Sequence, residues 1–196
     1  MVLSPGEYNA SYFDGASQRL AHNAGYASYE RRYRFDGLNS TGELWQDVAR
    51  DWAARFNLSG KRVLELGCAK GFVVEDLRTL GVGAYGCDIS SYAISCATEA
   101  VRPYLLQGDA REVLQRFPAD EFDRIISRGF LECVDPSALP ALIVEMNRVA
   151  HRQIHFIHTE INPEFYVQQS VDVWANYAWE QGTVIIAIEG AVERVI

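Results

Sequence analysis

The chain has 196 residues, 48% of them hydrophobic, and a formal net charge of -8 with a pI near 5.0. This length and hydrophobic content exclude a disordered chain and predict one folded domain over residues 1–196. The acidic balance argues against nucleic acid and against a membrane as partners, because both attract a positively charged surface.

Targeting and metal-binding signals are missing from the sequence. No apolar run approaches the ~18 residues that a membrane span needs, and Met1 to Ala10 is too polar for a signal peptide. The cysteines show neither C-x-x-C pairing nor histidine spacing for zinc, so no metal site is predicted. Three of the four fall at predicted core positions of strands or helices, and buried thiols are typical of a reducing compartment. We therefore expect a cytoplasmic protein. The cysteines are Cys68, Cys87, Cys96 and Cys133.

The first 38 residues lack any alternation of strands and helices. They are rich in aromatic residues and contain a basic cluster, and part of them (17–33) has helical character. We expect this segment to form a helical lid on a core that spans residues 39–160.

The core begins with a capping box, Ser40 to Glu43, that opens an amphipathic helix. Strands and helices then alternate, as strand 61–66, helix 71–80, strand 82–87, helix 91–100, strand 102–106, helix 110–117 and strand 122–127. Asp135 is the predicted N-cap of a further helix to about Ala150, with Pro136 at its first position, and a strand from Gln153 to Thr159 follows. This rhythm predicts an α/β fold, a doubly wound and mostly parallel Rossmann-like sheet with helices on both faces.

The last part of the chain, residues 161–196, is less regular. A helix from Pro163 to Glu180 is followed by a strand from Thr183 to Ile188, and a short antiparallel strand from Glu193 to Ile196 is possible after Gly190.

The stretch Val63-Leu64-Glu65-Leu66-Gly67-Cys68-Ala69-Lys70-Gly71 carries the strongest functional signal. An apolar strand ends in a loop with glycine at both ends, and a helix follows at once, as at a nucleotide-type cofactor site. Ala69 breaks the dinucleotide fingerprint G-x-G-x-x-G, and there is no P-loop. Glu65 would repel a pyrophosphate but suits the ammonium group of a cofactor that contains an amino acid.

Two further acids follow later strands. Asp88 ends the second strand about 20 residues after the first glycine, where an acid binds ribose hydroxyls in doubly wound folds. Asp109 follows the third strand. Each acid also has a local alternative, because Asp88 with Ser90 or Ser91, and Asp109 by itself, suit the start of a helix.

This pattern resembles motif I of the class I S-adenosylmethionine-dependent methyltransferases of small-molecule type. Residues 130–134 (FLECV) are similar to the family's V-L-E-H-V segment after the fourth strand, and the resemblance covers roughly residues 60 to 160. It implies S-adenosyl-L-methionine as cofactor and S-adenosyl-L-homocysteine as product. The candidate cofactor-binding residues are Glu65, Gly67, Cys68, Ala69, Gly71, Asp88, Ile89, Asp109, Ala110 and Arg128.

Methyl transfer to a small-molecule acceptor needs mainly alignment of the acceptor and, for some acceptors, a base. His158, at the end of the fifth strand, is the candidate base, or else a structural histidine. Glu132 is a candidate for orienting an acceptor amine or hydroxyl, or else a surface acid at a helix start. Cys133 stands where the family often has histidine, which puts a base at that position in doubt.

Candidate substrate contacts are Tyr12, Tyr29, Arg31, Glu160 and Tyr166. The tyrosines of the lid are alternatively exposed phenols, and Arg31 is alternatively part of a solvated helix face. We expect a monomer or homodimer. Two other functions remain open, a non-catalytic S-adenosylmethionine-binding subunit with a partner protein and a nicotinamide-dependent oxidoreductase, although Ala69 and Glu65 count against the latter.

Overall fold

The computed structural model describes residues 5–13, 45–158, 183–189 and 192–195. Its α-helices are α1 (Ala10–Phe13), α2 (Trp45–Arg55), α3 (Phe72–Thr79), α4 (Ser91–Ser95), α5 (Ala110–Leu114) and α6 (Leu139–Val149). Its strands are β1 (Arg62–Leu66), β2 (Gly83–Asp88), β3 (Leu105–Gln107), β4 (Arg124–Arg128), β5 (Gln153–His158), β6 (Thr183–Glu189) and β7 (Val192–Val195). Short 3-10 helices cover Pro5–Glu7, Arg102–Tyr104 and Leu131–Cys133. Within the described ranges, none of the helices has the length and apolar character required to traverse a bilayer.

The strands form one sheet in the order β3-β2-β1-β4-β5-β6-β7. Every neighbouring pair is parallel except β6 and β7, which form an antiparallel pair at the edge. The chain runs outward from β1 to β3 and then returns to the other side of β1 at β4. This reversal leaves a crevice at the carboxyl ends of β1 and β4, where ligands bind in doubly wound sheets. The predicted fold class is therefore confirmed.

Two apolar layers, one on each face, hold the sheet. Successive strand residues point to opposite faces, so Val63 joins a layer with α2 and α3, whereas Leu64 joins a layer with α5 and α6. In the first layer the ring of Trp52 stacks on Phe156, with centroids 4.8 Å apart and an interplanar angle of 13°. Both side chains are almost inaccessible to solvent, so α2 is fixed on the sheet by aromatic burial.

Two predicted boundaries are wrong for local reasons. Asp135 does not cap the helix that follows it, because its carboxylate accepts hydrogen bonds from the N–H (2.8 Å) and the hydroxyl of Ser137. This local turn competes with the helix, which begins only at Leu139. The third strand begins at Leu105 and not at Arg102, because residues 102–104 form a 3-10 helix containing Pro103, which has no N–H for a ladder.

Other predictions differ in extent or lie outside the described residues. Helices α4 and α5 are shorter than predicted, and β7 is present with four residues. Only Cys68 and Cys87 are buried, whereas Cys96 is exposed and Cys133 is half-buried, so the expectation of three core cysteines is wrong. The predicted helices 17–33 and 163–180 and the capping box at 40–43 lie outside the described part of the chain.

A buried polar chain crosses from β4 to β5. Ser127 Oγ lies 2.8 Å from His155 Nδ1, and His155 Nε2 lies 3.0 Å from Gln153 Oε1. Because Gln153 donates through its other amide atom to Asn147, its Oε1 accepts from His155, which is therefore protonated at Nε2. Burial lowers the pKa of His155 from 6.5 to about 3, so the ring is neutral in the folded protein.

The neutral state of His155 predicts a loss of stability in acid. Below pH 6.5 the unfolded chain binds a proton at this residue that the folded chain refuses down to about pH 3. The free energy of unfolding of the wild type, minus that of His155→Gln, should be constant above this window. It should then fall by up to about 1.4 kcal/mol per pH unit through the window. Urea denaturation of both proteins across the pH range measures this difference, and parallel pH profiles would contradict the neutral buried histidine.

Candidate functional site

The loop between β1 and α3 turns on three residues with positive φ, Gly67 (+76°), Ala69 (+49°) and Gly71 (+77°). The N–H groups of Gly67 and Cys68 both donate to the carbonyl of Cys87, at 2.8 and 3.1 Å. The loop is therefore bound to the end of β2 as well as to its own strand. It lies at the carboxyl edge of the sheet, where the motif predicted it.

Asp88, the last residue of β2, fixes this loop with its side chain. Its Oδ2 accepts a hydrogen bond from the N–H of Ala69 (2.8 Å), and its Oδ1 accepts one from the N–H of Ser90 (2.8 Å). Burial raises the pKa of Asp88, while these two N–H groups act to lower it. Ser90, not Asp88, is the N-cap of α4, because its hydroxyl accepts from the N–H of Ala93. Each oxygen of Asp88 accepts one hydrogen bond from the described residues, so its second lone pair suits a further donor.

Glu65 lies next to this carboxylate and is buried on β1, 7% exposed. Its Oε2 has no hydrogen-bond partner among the described residues. Burial, and secondarily the charge of Asp88, raise the pKa of Glu65 to about 8. A buried carboxyl without a partner is costly, so the group is suited to a ligand that brings a positive charge or a donor.

Gly86, in β2, leaves space for the loop residue Cys68, and no sequence motif identified this glycine. A Cβ at this strand position would lie 2.6 Å from the sulfur of Cys68 and 2.9 Å from Leu105. Cys68 packs into the space that the absent side chain leaves. The available signal was a glycine inside a strand, which often marks such a close approach.

The ends of β2 and β3 are joined by Gln107, whose Nε2 donates to the carbonyl of Ile89 at 3.2 Å. Asp109 follows and is the N-cap of α5, accepting from the N–H of Arg111 at 2.9 Å. The guanidinium of Arg111 also binds this carboxylate and, as the largest effect, lowers its pKa. Ala110, in the first turn of α5, is buried. The local alternative for Asp109 as a helix cap is thus confirmed, and a contact to a ligand stays a prediction.

The N-terminal segment packs against the same edge. Tyr12 and Phe13 of α1 are buried in a cluster with Ala69 of the loop and Ala93 of α4. The hydroxyl of Ser90 donates to the carbonyl of Tyr8, which ties the segment to the start of α4. Residues 5–13 therefore pack against the loop and Tyr12 lies beside it, whereas a lid over residues 1–38 stays a prediction.

Polar residues also follow β4. Arg128 is half-buried at the end of the strand, with its guanidinium carbon 5.7 Å from the ring centroid of Phe156. Glu132, in the turn Leu131–Cys133, is fully buried, so the alternative of a surface acid is wrong. The turn is tight because Gly129 has a positive φ of 62° and its carbonyl accepts from the thiol of Cys133 at 3.5 Å. The sequence suggested a helix start here, but the turn folds inward.

Several predicted site residues lie partly or wholly outside the described part of the chain. His158 ends β5, but its side chain is outside the described part of the structure. Of the described histidine side chains, His151 lies before the strand with its Nδ1 3.4 Å from Asp120 Oδ1, whereas His155 is buried. No group of metal-binding side chains occurs within the described ranges. The predicted substrate contacts Tyr29, Arg31, Glu160 and Tyr166 lie outside these ranges.

A matched pair of glycines tests the packing of the loop. Gly71 (φ +77°) and Gly81 (φ +80°) have nearly the same φ, but a Cβ at Gly71 would lie 2.7 Å from Leu105, whereas one at Gly81 would meet nothing within 4 Å. Gly81→Ala should lower the free energy of unfolding by about 1–2 kcal/mol, because alanine is strained at this positive φ. Gly71→Ala should lower the free energy of unfolding by about 1–3 kcal/mol more than Gly81→Ala, because Leu105 must move. Urea denaturation of both variants measures the difference, and equal losses would contradict the close packing.

The central part of the chain is similar to a known protein family. Residues 64–157 match the family model of a methyltransferase domain. The magnesium protoporphyrin IX methyltransferase of Synechocystis PCC 6803, solved with S-adenosylhomocysteine, superposes with a TM-score of 0.60 at 16% identity, covering 90% of this chain and 94% of that one. A SAM-dependent methyltransferase from Archaeoglobus fulgidus (TM-score 0.47, 24% identity) covers 54% of this chain and 49% of its own. A putative methyltransferase of antibiotic biosynthesis from Anabaena variabilis (0.46, 17%) covers 71% and 45%.

The chain thus spans about half the length of these last two proteins. No curated protein matches its sequence.

The residues at the loop fit the cofactor of this family. Glu65 provides a buried carboxyl oxygen with no partner among the described residues, and Asp88 has lone pairs to spare beside it. An ammonium group and ribose hydroxyls have the matching donors. The methyltransferase domain at 64–157 and the shared fold thus support a class I S-adenosylmethionine-dependent methyltransferase domain, with S-adenosylmethionine as its cofactor.

Proposed function

We propose that this chain transfers a methyl group from S-adenosylmethionine to a small-molecule acceptor, chiefly by positioning the two. The observation that carries the proposal is the pair of adjacent carboxyls, Glu65 and Asp88, at the carboxyl edge of the sheet. When bound, the cofactor supplies an electrophilic methyl carbon on a sulfonium. The reaction is an in-line displacement, so alignment and exclusion of water account for much of the rate.

On the cofactor side, Glu65 accepts from the ammonium group and Asp88 from ribose hydroxyls. The N–H groups of Ala69 and Ser90 hold Asp88 in place from two loops. A carboxylate held in this way has little freedom left to lose when a ligand binds, which favours affinity. Gly67 and Gly71 keep the backbone of the loop open to the ligand.

On the acceptor side, Glu132 is proposed to orient an acceptor amine or hydroxyl. Its full burial supports a small acceptor, because a buried group is reached only by a molecule that enters the protein. Arg128 lies at the end of the preceding strand, beside the same crevice. His158, at the end of β5, remains the candidate base.

Proton release should accompany cofactor binding. The raised pKa of about 8 keeps Glu65 largely protonated near neutral pH, and a neighbouring ammonium group would favour its ionised form. Below this pKa, affinity for S-adenosylhomocysteine should therefore rise with pH, by up to about tenfold per unit.

Calorimetry of this binding near neutral pH, in two buffers of different ionisation enthalpy, counts the protons released. The wild type should release close to one. Glu65→Gln should bind more weakly and release none, and release that persists in this variant would exclude Glu65 as its source.

The acceptor class can be tested by following the label. The chain is incubated with S-adenosylmethionine labelled in its methyl group and with a cell extract that ultrafiltration has separated into small-molecule and macromolecular fractions. Label should appear in the small-molecule fraction. Label on protein or nucleic acid would contradict a small acceptor, and cofactor binding without transfer to either fraction would favour a non-catalytic subunit.

Two variants connect this transfer to Glu132. Glu132→Gln should lower the rate of methyl transfer at least about tenfold, as expected for loss of one charge-assisted hydrogen bond. Glu112→Gln removes the same charge from an exposed position on α5 and should leave transfer unchanged. Equal activities of the two variants would exclude a role for Glu132.

A further inference from the structure

A second cleft opens at the amino edge of the sheet, away from the cofactor loop. It has a volume of about 530 Å³ and lies between the end of α2 and the first residues of β4, β5 and β6. Arg124 begins β4 and Arg128 ends it, so the two edges are about 13 Å apart at ~3.3 Å per residue. The volume is within the range of small-ligand sites, about 300–1,000 Å³.

The cleft is strongly basic although the protein is acidic. Arg55, Arg124 and Arg152 line it, and no acidic side chain from the described residues does so. Of these, Arg124 and Arg152 are close enough to interact electrostatically. Burial, and after it the charge of Arg152, lower the pKa of Arg124. Bringing like charges together is unfavourable in the free protein, and an anion between them would relieve the repulsion.

The nearby carboxylates are largely engaged elsewhere. Asp51 lies 3.8 Å from Arg55 on the exposed face of α2. Asp123 accepts from Lys61 Nζ (3.2 Å) and from the N–H of Arg62 (2.9 Å), and only its main-chain carbonyl accepts from Arg124 (2.7 Å).

Arg152 is the least engaged of the three arginines. Its side chain is exposed and makes no hydrogen bond or ion pair with any described residue. No described residue occupies the donors of this guanidinium, and guanidinium groups bind carboxylates and phosphates through paired hydrogen bonds.

The rest of the lining combines the polar residues Asn57 and Thr183 with the apolar residues Phe56 and Ile154. Ile154 is buried on β5, and Phe56 packs edge-on against Phe156, with ring centroids 6.0 Å apart. The cleft thus has an apolar surface at Phe56 and Ile154 next to its guanidinium groups. A bare inorganic anion would use only the charges, whereas a molecule with an apolar body would also remove this surface from water.

We propose that this cleft binds a small organic anion, a molecule with a carboxylate or phosphate group on a compact apolar body. The site is separate from the cofactor loop, and the proposal does not depend on the acceptor of methyl transfer.

Phenyl phosphate is a suitable probe because it combines a ring with a phosphate. It is titrated into the ¹⁵N-labelled chain saturated with S-adenosylhomocysteine, and amide chemical shifts are followed. Saturable shifts should appear at residues 55–57, 124, 152–154 and 183 and not in the loop 67–71. Benzyl alcohol, which lacks the charge, and inorganic phosphate, which lacks the ring, should each bind at least about tenfold more weakly.

Variants decide whether the arginines are responsible. Arg152→Gln and Arg124→Gln should each weaken binding of phenyl phosphate by about tenfold. Arg50→Gln removes the same charge from the exposed face of α2, where Arg50 pairs with Asp47, and should bind like the wild type. Amide spectra report whether each variant is folded. The proposal is overturned by unchanged affinity in folded Arg152→Gln, by an equal loss in Arg50→Gln, or by inorganic phosphate binding as tightly as phenyl phosphate.

Discussion

The carboxylate of Asp88 is the contact on which the cofactor site depends. By accepting from Ala69 on one side and from Ser90 on the other, it joins the loop after β1 to the start of α4. The N-terminal segment then attaches to the same Ser90 through Tyr8. The side chains of Asp88 and Ser90 together thus hold the loop after β1 and the N-terminal segment at the carboxyl edge of the sheet. Asp88 is thus both a candidate ligand contact and the residue that fixes the conformation of the loop.

The fold follows from local patterns, because each strand and helix has its own hydrophobic period and the alternation of elements implies parallel pairing. The loop was equally predictable, since Gly67, Gly71 and Glu65 are adjacent in sequence. What the sequence did not indicate depends on contacts across strands. The space under Cys68 at Gly86 and the pairing of Ser127 with His155 depend on register between segments 18 or more residues apart. No local pattern specifies such a register.

The two edges of the sheet differ in electrostatic character. At the carboxyl edge, burial and the charge of Asp88 raise the pKa of Glu65, and the two carboxyls favour a cationic ligand. At the amino edge, the guanidinium groups of Arg124 and Arg152 lie close together and favour an anionic one. Because a parallel sheet separates these edges by the length of its strands, ligands of opposite charge would not compete. The net charge of -8 conceals this polarity, which appears only when the residues are placed on the fold.

Calorimetric titration of S-adenosylhomocysteine into the wild type, Gly67→Arg and Gly81→Arg tests the central claim most directly. The two glycines have similar positive φ, +76° and +80°, but Gly67 faces Phe130 in the loop, whereas nothing lies within 4 Å of a Cβ at Gly81. We expect the wild type and Gly81→Arg to bind S-adenosylhomocysteine and Gly67→Arg not to bind it. NADPH should not replace S-adenosylhomocysteine. Wild-type affinity in folded Gly67→Arg would show that the cofactor does not occupy this loop.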